Sequence, residues 1–148
     1  MKRTLLTVLF AAFILNGTPS AEHHLNTFYV QLVRGSNDDT PPQPGSRPVG
    51  MKVARHLHSA LNWKNYWELN RQQVAVCCGK TRRVCLSKDR SVEIELTNHG
   101  RRRVTALENG RIIQRTLRPV GEGMTVIGGD RDPQSAWFIV VRRDQPAD

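Results

Sequence analysis

The sequence predicts a mainly β (α+β) domain: an antiparallel meander of about seven or eight strands forming a sandwich or partial barrel, with one helix packed on it. Three observations carry that expectation. From Tyr66 onward, short runs alternate apolar and polar residues and are punctuated by turn residues at near-regular spacing. Between Ala136 and Val141, Trp137, Ile139 and Val141 fall on one face and Phe138 and Val140 on the other, the pattern of an interior strand covered on both sides. One stretch only, just before Trp63, repeats its apolar residues at helical spacing.

The chain opens with MKRTLLTVLFAAFILNGTPSA. Lys2 and Arg3 form a positive start, Leu5 to Leu15 an apolar run, and Asn16 to Ala21 a small, turn-prone exit. This three-part layout predicts a secretory signal peptide over residues 1–21, with residues 22–148 as a single β-rich domain. The apolar run has 11 residues, whereas a spanning helix takes about 20, so an uncleaved anchor is the weaker alternative. The expected address is therefore outside the cytoplasm, periplasmic or extracellular, with no transmembrane segment after signal removal. The whole chain carries 22 Lys+Arg against 13 Asp+Glu, a net +9. Loss of Lys2 and Arg3 lowers this to +7. Most of the cations are arginine, whose planar fork suits carboxylate, phosphate and sulfate. A basic exported chain points to anionic polymers, lipid headgroups or acidic proteins, or simply to solubility.

In chain order, Phe28 to Arg34 alternates as a strand with Phe28, Val30 and Leu32 on one face. Residues 36–50 hold Pro41, Pro42, Pro44 and Pro48 and almost no apolar content, which predicts a loop. Pro48 suits a first helical position, and Met51, Ala54, Leu57 and Leu61 recur on one face, so a helix is expected from about Pro48 to Asn62. Trp63, Tyr66 and Trp67 then bunch together. A stacking platform is conceivable, but packing of a helix end against the sheet is the simpler reading. Val74 and Val76 are expected to reverse at Gly79-Lys80-Thr81 and return through Val84 and Leu86 as a hairpin. Strands follow at 91–97, with Val92, Ile94 and Leu96 inward, and at 101–107. Glu108-Asn109-Gly110-Arg111 predicts a type I′ turn, because Asn-Gly readily takes two positive φ values. Ile112 to Leu117 comes next, then a loop with Pro119, Gly121 and Gly123. A last hairpin is expected to turn at Gly128-Gly129.

The order Trp63-Lys64-x-x-Trp67-Glu68, Gly79-Lys80, Val92-Glu93-Ile94-Glu95-Leu96, Ile127-Gly128-Gly129 and Trp137-Phe138-Ile139-Val140-Val141-Arg142 resembles small exported β-rich proteins of environmental bacteria. The resemblance covers roughly Phe28 to Pro146. That group has no assigned activity, so the resemblance implies fold and address and no functional residues. The vicinal Cys77-Cys78 pair departs from it.

No catalytic, metal or cofactor site is expected. His56 and His58, at i and i+2 of a helix, diverge, and His99 sits in a tight turn. Cys77, Cys78 and Cys85 lack the paired C-x-x-C clamps of structural zinc. A thiol hydrolase with Cys77 or Cys85 as nucleophile and His99 as base has no recognisable supporting spacing. Asp130 and Asp132 after the Gly pair repel phosphate and would at best hold calcium weakly. Extending a Val76–Val84 pairing predicts a buried Cys78 and outward Cys77 and Cys85, free or bridged to another chain as a disulfide-linked oligomer. Glu93 and Glu95 lie between strands whose outer faces carry Arg83 on one side and Arg101 and Arg103 on the other, which predicts cross-strand ion pairs. The possible anion-binding residues are Arg82, Arg101, Arg102, Arg103, Arg111, Arg115 and Arg118. The leading expectation is a non-enzymatic exported interaction or envelope-assembly module with an unknown partner, a protein or an anionic polymer. A binder of anionic glycan, lipid headgroup or nucleic acid comes second, and a small hydrolase a distant third.

Overall fold

The computed structural model describes residues 25–147, so the leader expected over residues 1–21 lies outside the described residues. Nine strands and one helix follow in order: β1 (Asn26–Ser36), β2 (Arg47–Pro48), α1 (Met51–Ala60), β3 (Asn65–Val76), β4 (Thr81–Cys85), β5 (Arg90–Leu96), β6 (Arg101–Glu108), β7 (Arg111–Pro119), β8 (Thr125–Arg131) and β9 (Ser135–Arg142). They form a five-stranded sheet of order β2-β3-β1-β9-β8 and a four-stranded sheet of order β4-β5-β6-β7, every ladder antiparallel. The two sheets stack as a sandwich and do not close into a barrel.

Two cores make three layers. Phe28, Val30, Leu32, Val76, Val92, Ile94, Val104, Trp137, Ile139 and Val141 fill the space between the sheets. Val33, Tyr66, Phe138 and Val140 face the other way and meet Val53 and Leu57 of α1. β9 is therefore buried along its whole length, as its two-sided apolar pattern predicts. Trp137 is 6% exposed. Burying side chains of this size stabilises by about 1.5–3 kcal/mol each before entropy is counted.

The helix is shorter than its periodicity suggests, and its buried stripe differs. Pro48 does not open it: Arg47 and Pro48 pair with Glu68 and Trp67 as a short edge strand, within the segment expected to be loop. The helix caps instead at Gly50. Val53 and Leu57 are the buried positions, while Met51 is 70% exposed. Leu61 lies beyond the helix end and still packs on the same core. The aromatic trio serves packing. The Tyr66 ring meets His58 edge-on at 4.8 Å, and its hydroxyl donates to the Leu61 carbonyl at 3.2 Å, joining β3 to the helix end.

Two turns fall elsewhere than expected. β3 and β4 are not partners: β3 lies in the five-stranded sheet against β1, and β4 lies in the other sheet against β5. Residues 77–80 carry the chain from one sheet to the other. At the end of the chain, β8 runs past Gly128-Gly129 with an irregular register, and the reversal comes at residues 132–134. There Asp132 Oδ1 accepts from the backbone N–H groups of Gln134 and Ser135 at 2.7 and 2.6 Å, and these two bonds supply the turn that the glycine pair does not. By contrast, Asn109 (φ 49°) and Gly110 (φ 76°) make the positive-φ turn between β6 and β7 that Asn-Gly predicts.

Candidate functional site

The outer face of the four-stranded sheet carries the expected alternation of charge. Arg83 stands opposite Glu93 and binds it at 2.6 Å, and Glu95 stands opposite Arg103 and accepts a hydrogen bond from it. Arg101 is not part of this ladder, because β5 ends at Leu96 opposite Arg102 and leaves Arg101 past the last glutamate. Arg103 is thus neutralised, and it drops out of any anion-binding set.

Arg102 departs furthest from expectation. Period two sends it to the inner face with Val104 and Ala106, but it does not turn back to solvent: it is fully buried. Its Nη2 donates to the Gly123 carbonyl at 2.6 Å and to Thr125 Oγ1 at 2.9 Å, so the 120–124 loop closes over it. Nε and Nη1 meet no protein acceptor, and burial pulls its pKa below the usual guanidinium range. A cation sealed in this way cannot greet an external polymer.

The remaining candidates lie on or near β7. Arg118 pairs with Glu122 at 3.4 Å, which sequence did not suggest because the chain first passes through the Pro119 loop. Arg115 Nε donates to Thr105 Oγ1 at 3.2 Å. Among the described residues, Arg82, Arg101 and Arg111 are exposed and engage no carboxylate. The seven candidates therefore do not converge on one patch. Arg82 is on β4 and Arg111, Arg115 and Arg118 are on β7, at opposite edges of the same sheet.

β7 itself is the unusual element. It pairs on one side only, with β6, and eight of its nine residues are exposed. Ile112, Ile113 and Leu117 are 54%, 40% and 39% exposed, and Arg111, Arg115 and Arg118 lie among them. Next to it, Gln114, Thr116 and Arg118 of β7, Met124, Val126 and Gly128 around β8, and His56 and Leu61 near the helix end line a cleft of about 520 Å³. Both sheets end there, with β7 at the margin of one and β8 at the margin of the other.

The thiols are free. Cys78 and Cys85 are exposed and Cys77 is half-buried. The expected burial of Cys78 fails because β3 stops at Val76, so alternation no longer governs residue 78. It bridges Leu96 instead, at the crossing between sheets. His99 is exposed in its turn. Among the described residues, no three His, Cys, Asp or Glu side chains gather as a metal site; the Asp130 side chain lies outside the described residues. His56 and Asp144 do line one cleft, near the start of α1. Asp144 is held there by Arg142 and by Lys52 at 2.7 Å, which leaves it an ion-pair partner rather than a free base.

Two buried polar groups escaped the sequence reading. Glu68, 3% exposed, accepts from Arg47 at 2.9 Å, from Arg71 at 3.0 Å and from the Gln31 amide, and so fastens β1, β2 and β3 together. The second is a cleft at one end of the sandwich where Arg34, Arg90, Glu108, Asp132 and Trp137 meet. The register of the β5–β6 hairpin, which sets Arg90 opposite Glu108, was its only sequence signal.

No family model, no curated protein and no solved structure matches the chain. Among the described residues no helix is long and apolar enough to cross a membrane.

Proposed function

We propose that this protein is a non-enzymatic exported interaction module that engages a protein partner along β7. The observation that carries the reading is the exposure of β7 on both faces, with Ile112, Ile113 and Leu117 in water at an unpaired sheet edge. An edge strand of this length offers a row of free backbone donors and acceptors, and natural proteins usually cover or shorten such edges. Adding a partner's extended segment would satisfy that row, while the apolar side chains contribute area and the arginines select for acidic flanks.

A photo-crosslinker placed at Ile113, used in envelope extract, tests this directly. The reading predicts one dominant adduct that still forms when irradiation is carried out in about 1 M salt, where the screening length is only about 3 Å. Replacing Ile112 and Leu117 together by Lys should abolish the adduct. A second reading, binding of an anionic polymer, is favoured by Arg111, Arg115 and Arg118 on a strand that has no acidic residue. It predicts retention on heparin that falls steeply with salt and only slightly with each single Arg→Ala change. Salt-sensitive retention with no protein adduct would put this second reading first.

A further inference from the structure

A second feature, independent of β7, points to a small-molecule site. The cleft at the end of the sandwich has a volume of about 440 Å³, within the range of small-ligand pockets. It is framed by the end of β1 at Arg34, the start of β5 at Arg90, the end of β6 at Glu108, the turn at Asp132 and the start of β9 at Trp137.

Two of its groups hold donors that the protein leaves unused. Trp137 is 6% exposed, and its indole N–H is buried without a protein acceptor. The Nε–H of Arg90 is buried in the same condition. The two groups touch: the Arg90 guanidinium carbon lies 4.5 Å from the indole centroid. Arg90 therefore occupies the indole face, which removes the stacking surface a sugar would use. The two N–H groups have almost no accessible surface and open to the cleft only when the Arg90 side chain shifts. A buried donor left unmet costs about 1–3 kcal/mol, so an acceptor brought to it gains more than one brought to a solvated donor.

The charges of the lining define the rest of the ligand. Glu108 lies 3.6 Å and Asp89 3.4 Å from the outer nitrogens of Arg90, so its guanidinium is steered but only loosely held. Asp132 is anchored by Gln134 and Ser135, and those hydrogen bonds lower the pKa of its carboxyl. Arg34 adds a second guanidinium. Two cations and two carboxylates thus face one cavity. A dianion meets repulsion from Glu108 and Asp132, and a simple cation leaves the free donors unmet.

We propose that the cleft binds a small zwitterion of the α-amino acid class. With the loosely held Arg90 side chain displaced, the ligand's carboxylate accepts from the Trp137 indole N–H and the Arg90 Nε–H, with the charge of Arg34 near it. Its ammonium faces Glu108 and Asp132.

The indole nitrogen–proton resonance of Trp137, assigned by elimination with Trp63→Phe and Trp67→Phe, reports on this site in the purified protein. The probes are L-alanine, L-leucine and L-glutamine, each alongside its N-acetyl form and its carboxamide. At least one free amino acid should shift the Trp137 resonance saturably while leaving those of Trp63 and Trp67 in place. Its acetylated and amidated forms should bind about tenfold more weakly or worse, since each loses one charged partner. Arg34→Gln should weaken the carboxylate-bearing probes while leaving the protein folded. Absence of any saturable shift overturns the proposal. So does an N-acetyl form that binds as well as the free amino acid, which would make this an anion site, and so do equal shifts at all three indoles.

Discussion

The guanidinium carbon of Arg102 lies 5.7 Å from the centroid of the Phe28 ring, inside the space between the two sheets. No carboxylate comes within ion-pair distance of it among the described residues, and two of its three nitrogens have no protein acceptor. Taking a cation out of water costs several kcal/mol. A desolvated aromatic contact returns about 2 kcal/mol, and the two hydrogen bonds offset part of the remainder.

Arg102→Met should therefore leave the fold intact and stabilise it, by about 1 kcal/mol, because an apolar chain of similar length fills the same site without the desolvation penalty. Equilibrium urea unfolding measures the difference. A loss above about 2 kcal/mol would show that the cation is better compensated than its contacts suggest.

Gly35 is where the β1 backbone meets a side chain at close range. A Cβ built there would stand 2.6 Å from Trp63 Cδ1 and 3.2 Å from Phe138 Cε2. Neither ring is free to retreat, since both pack on the core beneath α1. Gly35→Ala should cost about 1–3 kcal/mol through overpacking, with Trp63 fluorescence altered in the folded state. An unchanged unfolding midpoint would contradict the packing described here.

Asp144 links the end of β9 to the helix through Arg142 and Lys52. The Arg142 hydrogen bonds hold its carboxyl far below the ordinary range. A folded-state pKa below the unfolded value of about 3.9 gives stability that is present above that pH and lost as pH falls toward the folded value. Because the carboxylate is 43% exposed, screening keeps this contribution under about 1 kcal/mol. Asp144→Asn should lower stability by up to that amount at pH 7, and the gap to wild type should narrow below about pH 4. A gap that stays constant down to about pH 2 would assign the effect to packing instead.

The thiols should behave as separate groups. Cys78 and Cys85 should react with a maleimide in the native protein, with Cys77 slower because it is half-buried. Intact mass of the unreduced monomer should show no Cys77–Cys85 bond.

Much of this architecture was legible because period-two alternation is a local property. It placed Phe28, Val30 and Leu32 together, gave β9 two buried faces, and set Glu93 and Glu95 between arginines. It failed wherever a strand ended. Cys78 was assigned to the core by extending an alternation that stops at Val76, and Gly128-Gly129 looked like a turn although the reversal comes at Asp132, three residues after the pair. Arg102 was assigned to the correct face, but nothing local announced that the Gly123 loop would cover it. The end-of-sandwich cleft gathers residues from five separate strands and a turn, so only the assembled sheets reveal it.

The pairing of β1 with β9 sets a timetable for folding. Arg34 lies beside Trp137, and Tyr29 beside Arg142, so the five-stranded sheet is completed by joining nearly the first described residues to nearly the last. Contacts between such distant parts of a chain form late and slowly. Until β9 has been synthesised, one side of β1 stays unpaired and the apolar faces of both cores are open to water. The five-stranded sheet therefore cannot be completed before residues 135–142 are available to pair with β1. Such a polypeptide is slow to reach its native state and open to holding chaperones until β9 is in place.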